Sequence, residues 1–158
     1  MNLKTAILIV IILLIISAFA EKEMLNRIEV FHKSKKPSMQ TFARVRRVLA
    51  KYKDEYEIVS YDIDDSLNIE LIQKYNLPDT HFPFAVVING KFSAQINENK
   101  IDFVHFPKFM HGIGRHEGNW SLVDLEAVLQ DKSLLLEENI LPVLEHKEAD
   151  VKPCPGEE

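Results

Sequence analysis

RIEVFHKSKKPSMQTFARVRRVLAKY, residues Arg27 to Tyr52, passes from a strand to a helix across one polar break. Arg27 to His32 reads as a short strand with Ile28, Val30 and Phe31 as its apolar members. Lys33 to Pro37 interrupts that pattern. Ser38 is then a good helix N-cap, and Met39, Phe42, Val45, Val48, Leu49 and Tyr52 follow at helical spacing. Arg44, Arg47 and Lys51 fall on the opposite face. A strand that feeds a helix in this way is the first half of a βαβ unit.

The chain downstream supplies the second half. Tyr56 to Ile63 forms a strand with Ile58, Tyr61 and Ile63 apolar, and Asp64, Asp65 and Ser66 offer caps for a helix through Leu67, Leu71, Ile72 and Tyr75. Asn76 to Thr80 is a turn containing Pro78. Phe84 to Ile88 (FAVVI) is a continuous apolar run, as expected of a strand covered on both faces. Asn89-Gly90 is a strong hairpin signal, so Lys91 to Ile96 is expected as its return strand. Lys100 to Phe106 adds a further strand after the Asn97-Glu98-Asn99 turn, and Pro107 to Trp120 reads as an irregular loop. Ser121 with Asp124 has the spacing of a capping box ahead of Leu122, Leu125, Val128 and Leu129. Ser133 is read as the cap of a last amphipathic segment, Leu134 to Leu144, which Pro142 interrupts. No internal repeat is present. The order β-α-β-α-β-β-(β)-α predicts an α/β fold with a central mixed sheet and a right-handed first crossover.

Upstream of Arg27 the chain reads as targeting sequence. Lys4 supplies a positive start, Thr5 to Ala20 is almost wholly apolar, and Ala18-Phe19-Ala20 has the form of a cleavage site before Glu21-Lys22-Glu23. Residues 1–20 are therefore a signal peptide or an uncleaved membrane anchor, and the run is slightly short for a spanning helix. Either way the remainder is exported: secreted or periplasmic, or anchored with the domain outside the cytoplasm. Membrane contact is expected only through residues 5–20, and only while they are retained. Residues 21–132 form the main domain, with residues 97–120 as an insertion. Residues 133–146 form a C-terminal helical extension, and residues 147–158 a disordered tail.

The net charge of −5 and pI of about 5.7 argue against a nucleic-acid partner, which needs a basic face. Cys154 is the one cysteine, so no internal disulfide forms even in an oxidising compartment. It lies in the Pro-rich tail as an incidental thiol, an intermolecular bridge or a reactive group.

The order of elements resembles the thioredoxin superfamily from Arg27 to Asp131. Ile28-Glu29-Val30-Phe31-His32 resembles the first core strand of that family. Tyr61-Asp62-Ile63-Asp64 resembles the end of its second, and Lys74-Tyr75-Asn76-Leu77 the helix end before its cis-proline loop. Phe82-Pro83 stands where the family has Ile-Pro. The resemblance implies a three-layer α/β/α arrangement, a cis peptide before Pro83, and Pro83 beside the helix that begins near Ser38. It also lays the family's Trp-Cys-Gly-Pro-Cys on Ser34-Lys35-Lys36-Pro37-Ser38. The proline is kept, and Lys35 and Ser38 replace the cysteines. Dithiol exchange needs a thiolate and a resolving thiol two residues on, which these residues cannot supply. Two departures from the family are a longer turn before Pro83 and the insertion at residues 97–120.

Four places then stand out as sites. Lys33, Lys35 and Lys36 surround the expected helix start at Ser38, which reads as an anion or acidic-partner site, or as a solvated loop. The resemblance implies that Phe82-Pro83 exposes a backbone edge able to pair with an extended peptide. His81, beside it, joins His32 in a small polar site, or both are boundary histidines with single hydrogen bonds. The loop from His105 to Trp120 holds three of the six histidines and the one tryptophan. It reads as a recognition surface with His111, Arg115, His116 and Trp120, as a structural cap, or as a metal site using His105, His111, His116 and Glu117. The spacing matches no established metal signature. If ordered, the loop is expected to bury Trp120 as its anchor. No cofactor is expected. The functional expectation is a redox-inactive binding or accessory module with a protein or peptide partner. Its alternatives are a metal-binding or enzymatic protein using residues 105–117, and an anchored subunit of a membrane complex.

Overall fold

A computed structural model describes residues 27–78, 82–108 and 117–141. The leader, His81, His111, Arg115, His116 and Cys154 lie outside the described residues. Among the described residues no helix is long and apolar enough to cross a membrane.

The sheet is built on β1 (Arg27–His32). On one side β1 pairs in parallel with β2 (Glu57–Asp62), Ile28 opposite Ile58. On the other it pairs antiparallel with β3 (Phe84–Ile88), Ile28 opposite Ile88. The order is β2-β1-β3, a mixed sheet of the α/β class with three helices. The central strand and β3 are buried almost throughout, which explains the uninterrupted FAVVI run.

Strand alternation sorts the helices. Helix α1 (Ser38–Leu49) buries Val45 and Leu49, and its Phe42 stacks on His32 of β1 with ring centroids 4.3 Å apart. Helix α3 (Leu122–Gln130) pairs its Glu126 at 2.7 Å with Lys51, in the 3-10 turn Ala50–Tyr52 that follows α1. Helix α2 (Ile69–Lys74) leads into Tyr75, which meets the alternate β1 residues: its ring lies 6.0 Å from Phe31 and its hydroxyl bonds Glu29. Glu29 is a buried carboxylate inside the strand, held by Tyr75 and by Arg27 at 3.6 Å. Burial and the Glu29 carboxylate together push the Tyr75 phenol far above its ordinary value.

Five expectations are corrected. The helix read through Leu67 and Tyr75 is a 3-10 turn, Ser66–Asn68, followed by α2, with Asp65, one of the three expected caps, accepting from the Leu67 amide. Ser38 does not cap α1. Pro37 occupies the cap position without a side-chain bond. Of the expected return strand only Lys91 pairs with β3, across an Asn89-Gly90 turn with both φ values positive (52° and 79°). The chain then leaves as a separate hairpin of β4 (Ser93–Ile96) and β5 (Asn99–Asp102), and returns so that residues 103–105 pair beside β3. Val86 donates to the Phe103 carbonyl and His105 to that of Phe84, each at 2.8 Å. The expected strand from Lys100 to Phe106 is thus divided between β5 and this ladder.

The fifth correction is the C-terminal segment. After a 3-10 turn, Lys132–Leu134, no helix follows as far as residue 141, the last described, and Leu135 is extended. Leu135 bridges Ala94, Leu136 donates to the Ser93 carbonyl at 2.9 Å, and Asn139 bonds the Phe92 amide and the Gly90 carbonyl. The cap is Asp131, which accepts from the Ser133 amide, not Ser133. Its extended path satisfies the open edge of β4, a need that helical periodicity does not register.

Candidate functional site

The corner where α1 begins gathers several of the expected site residues. β1 ends at His32, the chain turns through Lys33 to Pro37, and Ser38 opens the helix. Ser38 is buried at 2 % exposure. Its hydroxyl donates to the Pro83 carbonyl at 2.8 Å and accepts from the Lys33 amide at 2.9 Å. One side chain therefore ties the β1–α1 turn to the start of β3. Pro83 does lie beside Ser38. The cis peptide, however, is Lys36–Pro37 and not Phe82–Pro83.

Phe82 is 2 % exposed, Pro83 is buried, and the Pro83 carbonyl is engaged by Ser38. One acceptor of the edge expected to pair with a peptide is therefore used inside the molecule. The helix start is similarly occupied: the Met39 amide donates to the Lys35 carbonyl, and the Gln40 and Thr41 amides to that of Pro37. Lys33 and Lys35 both pair with Asp64, at 3.5 and 3.3 Å. Of the expected lysines, Lys36 is exposed and joins no ion pair among the described residues.

Two neighbours complete the corner. His32 is buried against Phe42, with its Nδ1 unpartnered. Asp62, opposite His32 in the sheet, is held below the usual carboxylate range, chiefly by the Ser34 hydroxyl and then by the Asp64 amide. The expected His32–His81 pairing involves a residue outside the described ones.

The second region is the stem of the loop. Trp120 is fully buried, so it anchors the loop rather than offering a contact surface. Its indole Nε1 donates to the carbonyls of Val104 and His105, each at 3.2 Å, and its ring lies edge-on to Phe103 at 5.4 Å. The two strands of the stem are bonded together: Gly118 donates to Phe106 and Lys108 to the Trp120 carbonyl, both at 2.7 Å. Gly118 has to be glycine, because a Cβ there would stand 2.4 Å from the Val104 carbonyl oxygen. Beside the stem lies a polar cavity of about 320 Å³, with Lys100, Lys108, Asn119 and Asp124 among its walls. Asn119 is committed to the backbone of Asp102 and Lys100, and Asp124 to the Ser121 capping box.

Of the metal candidates, His105 is 1 % exposed and Glu117 is exposed on the stem, and His111 and His116 lie outside the described residues. Among the described residues no group of three or more His, Cys, Asp or Glu is placed to hold a metal ion. Sequence reasoning missed Glu29 as a buried carboxylate. Its place in an apolar strand was the available signal. Compared with protein-family models, with curated proteins and with solved structures, the chain matches none.

Proposed function

We propose that this chain is an exported thioredoxin-fold binding module without thiol–disulfide chemistry. The observation that carries the reading is the Ser38 hydroxyl, buried and bonded to both Lys33 and Pro83. In the scaffold the chain resembles, that position belongs to a cysteine of the dithiol. Here an oxygen fastens the corner as part of the framework. The β2-β1-β3 order, with one parallel and one antiparallel pairing and helices on both faces, supports the same reading. Export rests on Lys4, the apolar run Thr5 to Ala20 and the Ala18-Phe19-Ala20 site.

The partner surface we assign is the loop that lies in sequence between the two halves of the Trp120 stem, residues 109–116, with His111, Arg115 and His116 as its recognition groups. The triple variant His111→Ala/Arg115→Ala/His116→Ala tests this. It keeps the parent's stability to within about 0.5 kcal/mol and loses the partner that the parent retains from the native envelope fraction. Unfolding of the variant makes the loop structural, and undiminished binding moves the site elsewhere. Intact mass of the native protein tests export: a chain beginning at Glu21, or a complete chain in the membrane fraction, agrees with it. A complete chain in the cytosol contradicts it.

A further inference from the structure

Charge along the chain is segregated more sharply than the net value suggests. From Lys33 to Lys53 there are eight Lys or Arg and no Asp or Glu, and from Asp54 to Glu70 seven Asp or Glu and no Lys or Arg. The fold puts a surface feature on each block. The outer side of α1 carries an open groove of about 420 Å³, lined by Met39, Phe42, Ala43, Arg46, Arg47 and Ala50. Its lining is mostly apolar, Met39 is 41 % exposed, and no carboxylate pairs with Arg46 or Arg47 among the described residues. The acidic block carries the converse shape. Leu67, on the capped turn, is 85 % exposed and Ile69, at the start of α2, 53 %, with exposed Asp65 and Glu70 beside them. An apolar groove edged by guanidinium groups matches an apolar knob edged by carboxylates.

We propose that the groove on α1 takes a second copy of this chain, through Leu67 and Ile69 with Asp65 and Glu70 facing Arg46 and Arg47. Apolar burial supplies the attraction, and the charges set the orientation. Groove and knob lie on opposite faces of the sheet, α1 over Ile28, Val30 and His32, and α2 over Glu29 and Phe31. One copy therefore cannot use both with the same partner in a two-fold pair, and the contact is head-to-tail. Such contacts leave a free groove at one end and a free knob at the other.

Sedimentation velocity of the full chain, in a nonionic detergent that masks residues 5–20, tests the proposal. The average mass rises with protein concentration and falls with added salt, since the facing charges are exposed. Arg46→Glu/Arg47→Glu and Leu67→Ser/Ile69→Ser each weaken association about tenfold or more, with far-UV circular dichroism confirming the parental fold. The decisive arm mixes the two variants. One intact groove then meets one intact knob, so the mixture forms one-to-one dimers and stops there. A parent that stays monomeric at millimolar concentration overturns the proposal. So does a knob variant that associates like the parent, which gives the groove another occupant, or a mixture that forms no dimer. None of these results touches the loop assignment above.

Discussion

The corner at Ser38 and the stem at Trp120 are both places where distant segments are pinned by one side chain, but they are pinned by different physics. At the corner a hydroxyl joins residues 45 positions apart through two hydrogen bonds in a small buried space. At the stem an indole fills the core between Phe84 and Phe103, and its single N–H is shared between two carbonyls. At the corner the Ser38 hydroxyl, the Lys33 amide and the Pro83 carbonyl are spent on one another. The stem instead ties backbone on either side of residues 109–116, Gly118 to Phe106 and Lys108 to Trp120.

If that contrast is right, the stem is the costlier to break. Trp120→Ala removes a fully buried aromatic and both of its hydrogen bonds, and is expected to destabilise the domain by about 3–5 kcal/mol. The check is the denaturant midpoint followed by far-UV circular dichroism, since the variant has no tryptophan left. A loss below 1 kcal/mol, about the net worth of one hydrogen bond, would show that the stem does not depend on the indole. Ser38→Ala leaves the Pro83 carbonyl and the Lys33 amide without their partner, at an expected cost of about 1–3 kcal/mol. A neutral result would mean that the corner is held by something other than the hydroxyl, and the distinction between the regions would weaken.

The smallest effect concerns acid. Asp62 has its carboxyl lowered by the Ser34 hydroxyl and the Asp64 amide, so its ionised form is favoured in the folded state. Its stabilising contribution is present above the unfolded carboxylate value of about 3.9 and is lost as pH falls through the lower folded value. Asp62→Asn keeps an acceptor for Ser34 but does not titrate. The parent should therefore lose more stability than the variant between neutral pH and about pH 3, measured as the shift in urea midpoint. Equal losses would remove Asp62 from the account of the corner.

The fold was legible where local chemistry decides it. The spacing of Val45 and Leu49 marks α1, FAVVI marks a strand covered on both sides, Asn89-Gly90 turns with the two positive φ values it needs, and Ser121 and Asp124 form the expected box. The illegible parts depend on partners far off in sequence. Ser38 looks like an N-cap until Pro83 competes for its hydroxyl. Leu134 to Leu144 has helical apolar spacing, yet the edge of β4 draws Leu135 and Leu136 into extended pairing. The β4–β5 hairpin is visible in sequence, but its departure from β3, and the return of residues 103–105 to take the vacated place, follow from packing around Trp120. Of the candidate site residues, the burial of Trp120 was legible from its composition and setting. The bond from the Ser38 hydroxyl to the Pro83 carbonyl was not, because nothing local to Pro83 shows that its carbonyl is taken.

We propose that this scaffold, which resembles thioredoxin, carries no thiol chemistry, and disulfide-exchange turnover measures that directly. The native protein and its Cys154→Ser variant are assayed side by side for reduction, oxidation and isomerisation of a protein disulfide. Both should stay at the uncatalysed rate, because Lys35 and Ser38 offer no thiolate and Ser38 is committed to Lys33 and Pro83. Turnover in the parent that disappears with Cys154→Ser would show that the tail thiol has been recruited to the reaction, and would contradict the claim.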